Sequence, residues 1–422
     1  MMKIPHVVIV GGGFAGLSAA KILADKPEVK VTLIDRRNYH LFQPLLYQVA
    51  TAGLSPAEIA YPLRSILSGV NNIDIIMGEV TEIDQANKIV KTDSNNFEYD
   101  YLIMACGATH TYFGRDEWEP SAPSLKTLEQ ATEIRRRMYL SFEQAEKEAD
   151  VEKRKKYLTF VIVGGGPTGV ELAGAIGEIT RFTLTKDFHQ INPRHTRIIL
   201  VEAGPRILPS FSKELSSKAM RDLEELGVQI WTDSKVTKIS DDGIQIGTEF
   251  IAANTVIWAA GVGANTLNKK ISSDIDRAGR VVVEPDLSLK ENPRVFVIGD
   301  QAHLKYGVDQ TPLPGLAPVA MQEGRFVARL ILDEIKGKAR RRFHYVDKGQ
   351  MATIGKSKAV AMFRGFEFKG FTAWVGWLLV HIYYLIGFKN RLFVLFQWSW
   401  TYWTFRRGAR LIVNKDWQSK KD

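Results

Sequence analysis

The chain opens on a short apolar run, His6 to Val10, β-branched after its histidine. The run stops at Gly11-Gly12-Gly13-Phe14-Ala15-Gly16 and gives way to a helix-like pattern from Leu17 to Leu23. A second strand-like run, Val31 to Ile34, ends in Asp35. The order then returns: Thr159 to Val163, the turn Gly164-Gly165-Gly166-Pro167-Thr168-Gly169, a helix from Val170, and the run Arg197 to Val201 ending in Glu202. Strand, tight turn, helix, strand is the pattern of a βαβ unit, and its duplication predicts an α/β chain with two Rossmann-like domains. The second unit has the longer connection, which we assign to a lengthened crossover through Gln190 to Thr196. The charged stretch Glu143 to Lys156 reads as a solvated helix.

Late in the chain the pattern changes. Gly370 to Phe388 contains no Asp, Glu, Lys or Arg; as one helix it would reach roughly 28 Å, long enough to enter a membrane deeply or to span it. His381 and the internal glycines argue against a span, and the next segment, Leu392 to Phe405, is too short to cross back. That segment is dense in Phe393, Phe396, Trp398, Trp400, Tyr402, Trp403 and Phe405, with Gln397, Thr401 and Thr404 on one helical face. Such rings favour a membrane interface. The expectation is two amphipathic helices lying on or dipping into one leaflet, with a buried dimer interface as the alternative.

Composition refines this picture. A length of 422 residues implies two or three domains, and 45% apolar with 24% charged residues is ordinary for a folded, water-soluble body. The net charge of +9 fits nucleic acid, anionic lipid or no particular partner. Position decides: Arg406, Arg407, Arg410 and Lys415 flank the aromatic tail, which favours lipid headgroups and no nucleic-acid partner. The earlier cluster Lys336, Lys338 and Arg340 to Arg342 reads as a solvated face. A single cysteine, Cys106, excludes an internal disulfide, a redox dithiol and a cysteine-held iron–sulfur cluster. No metal site is expected. No signal or transit peptide is expected before the first strand, so the cytoplasmic face is the predicted location.

The glycine turns carry the first chemistry. Glycines at 11, 13 and 16, and again at 164, 166 and 169, let the backbone turn sharply and approach a pyrophosphate at a helix N-terminus. Asp35 and Glu202, each at the end of the following strand, are placed to accept from ribose hydroxyls. A carboxylate at Glu202 repels a 2′-phosphate and favours NADH, with Arg206 nearby working against that preference. The strand Arg294 to Ile298 leads to Gly299-Asp300, which in two-dinucleotide flavoproteins brings an aspartate to FAD. The segments Leu102 to Thr109 and Val256 to Gly261 mark the crossings between domains. The expected division is a discontinuous FAD domain, 1–116 and 264–345, an NADH domain, 117–263, and a membrane-anchoring and dimerising region, 346–422.

Taken with Asn38-Tyr39-His40, Gly169-Val170-Glu171, and Leu313-Pro314 through Ala317-Pro318-Val319-Ala320-Met321-Gln322, these features make the chain resemble the type II NADH dehydrogenases. These are glutathione-reductase-like flavoproteins that act as monotopic NADH:quinone oxidoreductases. The resemblance covers essentially the whole chain. It implies non-covalent FAD held by Gly11, Gly12, Gly13, Phe14, Ala15, Gly16, Asp35, Arg36, Val80, Asp300, Ala317 and Pro318. It implies NADH held by Gly164, Gly165, Gly166, Pro167, Thr168, Gly169, Glu202 and Gly261. Glu171, which as a bare residue also reads as a helix first-turn acid, would lie near the nicotinamide and flavin. Gln322, otherwise a satisfied polar helix residue, would line a quinone pocket. Some members carry glutamine where this chain has Pro318, and some place a lysine within the segment that corresponds to Phe371 to Phe388.

The implied reaction passes hydride from NADH to FAD N5 and then two electrons to a membrane quinone, without proton pumping. In such chemistry the protein mainly positions its partners. A homodimer is expected. The alternatives are an NAD(P)H reductase with a protein acceptor and a membrane-docking redox sensor; disulfide reductases and sulfide:quinone oxidoreductases need cysteine pairs that this chain lacks.

Overall fold

The computed structural model describes residues 3–272, 274–307, 310–404 and 407–413. Phe405, Arg406 and Lys415, assigned above to the membrane-facing tail, lie outside the described residues. The chain forms two compact units, one of residues 1–41, 60–109 and 262–347, the other of residues 42–59, 110–261 and 348–422.

The first unit is built on a parallel sheet. His6–Val10 lies at its centre between Lys30–Asp35 and Tyr101–Met104, with Ile73–Met77 and Val295–Val297 at the edges. Val7, Val8 and Ile9 are fully buried, as expected of a strand covered on both faces. The helix Phe14–Leu23 starts three residues earlier than its apolar periodicity suggests, because the glycine turn itself forms the first helical turn. The helix Ala317–Ile335 packs along it, and the backbone of Ala15 fills the space that a side chain on Gly324 would take. The basic residues at 336–341 are internally paired: Lys336 with Glu28, Lys338 and Arg341 with Asp333, Arg340 with Asp286 and Glu334.

The second unit repeats the plan with a four-stranded parallel sheet in which Thr159–Val163 lies between Arg197–Val201 and Thr255–Trp258. The predicted solvated helix over 143–156 is two helices. Leu128–Lys147 ends at Glu148, and Asp150 caps Val151–Tyr157 by accepting from the amides of Glu152 and Lys153. The lengthened crossover is present. The helix Pro167–Glu178 runs into a single wide turn, Ile179–Thr183, and a loop follows to Pro193–His195. Glu146 holds that loop by accepting from the amides of His189, Gln190 and Ile191.

The tail belongs to this second unit. A three-stranded antiparallel sheet, Gln350–Thr353, Ala359–Phe363 and Phe366–Gly370, leads into the helices Phe371–Tyr384 and Phe388–Thr404. The apolar stretch therefore breaks at Leu385 instead of continuing to Phe388, and no helix among the described residues is long and apolar enough to cross a membrane. The sequence expectation that Arg407 faces headgroups is overturned. Arg407 is buried and donates to Thr51 and Glu178, and Arg410 pairs with Asp187. Arg407 thereby neutralises a buried acid, Glu178, while Arg410 meets an exposed one. The tail exposes large apolar side chains: Phe388, Phe393, Phe396, Trp400 and Trp403 are all more than half exposed.

Candidate functional site

In the first unit the strand-end acid closes onto the glycine turn. Asp35 accepts from the amide of Gly12 at 2.6 Å and from that of Arg37 at 2.7 Å, which fixes its carboxylate beneath the turn. Gly11 has φ +107°, a left-handed conformation that favours glycine, and a side chain there would run into the Ala105 carbonyl. Gly13 has open space where a side chain would stand. The helices Leu128–Lys147, Val151–Tyr157 and Lys213–Glu225 are each capped by a side chain, from Thr127, Asp150 and Ser212. Phe14–Leu23 has no side-chain cap and no acid in its first turn, so its amides are left for an anion.

The Gly299-Asp300 turn comes to the same place. A side chain on Gly299 would touch Ala15 and Ala320 at 3.4 and 3.5 Å, so Asp300 sits between the first glycine helix and the start of Ala317–Ile335. That helix also lacks a side-chain cap, with Pro318 in its first turn. The structure thus gathers Gly11 to Gly16, Asp35, Asp300, Ala317 and Pro318 in one unit. Arg36 is exposed beside Asp35, and Val80 is buried at the start of a separate three-stranded sheet of this unit. Uncapped amides for a pyrophosphate, open space at Gly13 and carboxylates for hydroxyls are the donor set that FAD requires, and these residues fit it.

Two residues that sequence reasoning left without a role complete this cradle. His40 is buried, with Nδ1 on the Gly12 carbonyl at 3.0 Å and its ring edge-on to Phe14; burial lowers its pKa to about 4, and Nε2 has no partner among the described residues. Glu323 is buried and accepts from the Gly299 amide at 2.5 Å, and burial raises its carboxyl to about 8. The signal for Glu323 was an acid on the apolar face shared by Val319, Ala320 and Val327.

The second unit builds the same clasp. Glu202 accepts from the amides of Gly165 and Gly204, each at 2.7 Å, and Gly164 has φ +113°. The longer crossover has therefore left Glu202 where Asp35 stands in the first unit. Pro167–Glu178 likewise lacks a side-chain cap and a first-turn acid. Glu171 lies beyond that first turn, so the macrodipole reading of it does not hold. Its carboxyl accepts from the Thr353 amide, and burial raises it to about 8. Held neutral, it adds no charge to an anion-binding turn. A side chain on Gly164 would strike Ala259 and Ala260 at about 2.7 Å, so the strand exit that carries Gly261 lies against the turn.

Further along the helix that carries Glu171, a cavity of about 90 Å³ opens in the same unit. Trp374, Trp377, Trp398 and Tyr402 wall it, and Gln48, Glu178, Lys356 and Arg407 supply polar groups. The indole N–H of Trp398 donates to Gln48 at 2.7 Å, and Gln48 donates to the Tyr47 hydroxyl at 2.9 Å. Trp377 stacks on His381 at 4.2 Å and leans on Trp398 at 5.3 Å, and its own N–H has no partner among the described residues. Gln322, in the first unit, donates to the carbonyls of Pro318 and Val346 and accepts from the Val346 amide. Its amide group is thus engaged with backbone.

Comparison with known proteins agrees with this geometry. The pyridine nucleotide-disulphide oxidoreductase profile matches residues 5–324. The type II NADH:quinone oxidoreductase Ndh of Mycobacterium tuberculosis is 42% identical over 97% of this chain and 90% of its own length. The type II NADH:quinone oxidoreductase of Staphylococcus haemolyticus is 30% identical over 86% of this chain and 91% of its own. In fold, the chain superposes on the NDH2 of Plasmodium falciparum, solved in complex with NADH, with a TM-score of 0.88 at 20% identity, covering 98% of this chain and 100% of that one. An identity of 42% sustained along the length, together with a profile that takes in both glycine turns, makes this chain a member of the type II NADH:quinone oxidoreductases within the pyridine nucleotide-disulphide oxidoreductase family.

Proposed function

We propose that the protein oxidises NADH and reduces a membrane quinone, with FAD in the first unit and NADH on the second. The observation that carries the reading is the duplicated clasp: two uncapped helix N-termini, each with an acid bound to the amide of its glycine turn, Asp35 to Gly12 and Glu202 to Gly165. Bound FAD supplies the two-electron carrier that links a hydride donor to a quinone. Gly11 to Gly16, Asp35, Asp300 and the Ala317-Pro318 helix start hold it; Arg36 and Val80 are assigned to the same cofactor by resemblance.

Gly164 to Gly169, Glu202 and Gly261 hold NADH. Arg206 donates to the carbonyls of Phe211 and Pro209, so its guanidinium is tied into its own loop, and the Glu202 carboxylate sets a preference against a 2′-phosphate. Glu171 keeps a proton at neutral pH and can give it to a quinone, which takes up protons with its electrons. Gln322 holds the chain at Val346 and so shapes the quinone side of the first unit.

The exposed aromatic face of Phe388–Thr404 docks on the cytoplasmic surface of the membrane as a peripheral anchor. Such a contiguous apolar surface is unusual on a protein without a partner. The edge strand Phe366–Gly370, with Phe366 and Phe368 exposed, suits pairing with a second copy. The test is NADH oxidation by purified, FAD-loaded protein with and without a short-chain quinone, repeated with NADPH and with a Trp400→Ser, Trp403→Ser variant on vesicles. Quinone-dependent turnover that prefers NADH, and loss of vesicle binding in the variant, is the expected result. Flavin that NADH reduces but quinone does not reoxidise would overturn it.

A further inference from the structure

The connection into the second unit carries a residue that its fold does not need. Phe113 has φ +54°, in the left-handed region that a bulky aromatic side chain rarely takes, and the residue is 69% exposed. Burial therefore does not account for it. Strain of this kind persists where surrounding contacts fix it, and it gathers at ligand sites.

The contacts that fix it are on the page. Thr111 donates its amide to the Gly261 carbonyl, its own carbonyl accepts from the Trp258 indole N–H at 2.9 Å, and its hydroxyl accepts from the Phe113 amide at 3.1 Å. The Phe113 ring is thereby laid over Gly261: a side chain added to that glycine would come within 2.5 Å of the ring's Cζ. Trp258 also neighbours it, edge-on at 6.1 Å.

Sheet order says what this ring faces. Thr159–Val163 runs parallel between Arg197–Val201 and Thr255–Trp258, so Glu202 and Gly261 follow strands on opposite sides of the glycine turn, at the same edge of the sheet. Ligands of open parallel sheets bind at that edge. With the pyrophosphate on the turn and the adenosine ribose at Glu202, the other half of the dinucleotide extends towards Gly261, where the exposed aromatic ring stands.

We propose that Phe113 is a substrate-positioning residue whose ring packs against the nicotinamide of the bound dinucleotide. The inference rests on the assignment of NADH to the second turn. A planar ring, cationic in its oxidised form, is a suitable partner for an aromatic face. Trp258 and Thr111 keep the platform rigid, so the nicotinamide gains a fixed plane while the adenosine half is unaffected.

The test is calorimetric titration of the FAD-loaded protein with NAD+ and with ADP-ribose, which shares the adenosine and pyrophosphate but lacks nicotinamide. For Phe113→Ala, NAD+ should bind about fivefold to tenfold more weakly while ADP-ribose binds as to the unaltered protein, which also shows that the domain has folded. Phe113→Tyr should restore NAD+ binding. Equal weakening of both ligands, or no weakening of either, overturns the proposal. Failure of the unaltered protein to bind either ligand overturns the NADH assignment and this inference with it.

Discussion

The guanidinium of Arg407 donates to the carboxylate of Glu178 at 3.0 Å, with only 8% and 13% of the two side chains exposed. Arg407 also donates to the Thr51 carbonyl and hydroxyl, so one cation from the tail joins the glycine helix of the second unit to the segment 42–59. Breaking a buried pair by removing one partner leaves an uncompensated charge. Arg407→Met should therefore destabilise the protein by about 3 kcal/mol and expose the tail to protease. Adding Glu178→Gln should return much of that loss. Denaturant melts with timed proteolysis check this; an unaltered midpoint in the single variant would show that the pair does not hold the tail.

The proposed ribose contact makes Glu202 the residue that should set the cofactor preference. Glu202→Gln keeps an acceptor for the Gly165 amide and removes the charge that opposes a 2′-phosphate. NADH should bind more weakly and NADPH more tightly, so that the ratio of the two kcat/KM values falls by about tenfold or more. A ratio that stays constant would remove Glu202 from the site.

Glu171 should impose a pH limit on the quinone step. Its folded pKa is raised to about 8, so it is protonated below that value and loses its proton as pH rises through it. Quinone-dependent turnover should decline above pH 8, while anaerobic reduction of the flavin by NADH, which needs no proton from this group, should not. Glu171→Gln should abolish that alkaline limb and lower turnover on the order of 10²-fold. An alkaline limb that persists in the variant would assign it to another group.

Glu323 is raised in the same way, and here the consequence is for stability. Between the ordinary carboxyl value of 4.5 and about 8, the unfolded chain gives up this proton and the folded one keeps it, so stability falls as pH rises through that window. Glu323→Gln can still accept from the Gly299 amide and never ionises. Relative to the unaltered protein it should gain on the order of a few kcal/mol by pH 9 and nothing near pH 4. Melting temperatures at the two pH values read this directly.

The two glycine turns, their flanking strands and Asp35 were legible from sequence because each is a local feature: β-branched runs, glycines at fixed spacing, a strand-end acid. Glu202 was legible despite its spacing, since the residues added between it and Gly169 lie in a loop and leave both strand ends in register. What escaped was set by packing between distant segments. Nothing local distinguishes Arg407 from its neighbours, yet it meets an acid far away in sequence. The break at Leu385 was hidden because the apolar run continues across it. Phe113 gave no signal, since a left-handed φ at an aromatic residue is visible only in the folded chain.

The clasp carries a consequence for how this architecture varies. Its geometry is set by two backbone amides meeting one carboxylate, Gly12 and Arg37 on Asp35, Gly165 and Gly204 on Glu202, whatever chain lies between turn and acid. The loop from Thr185 to Thr196 is thus ballast as far as nucleotide recognition goes, moored by Glu146 at its far side. Lengthening or shortening that stretch, or grafting a foreign segment there, should leave untouched the acid proposed to read the ribose.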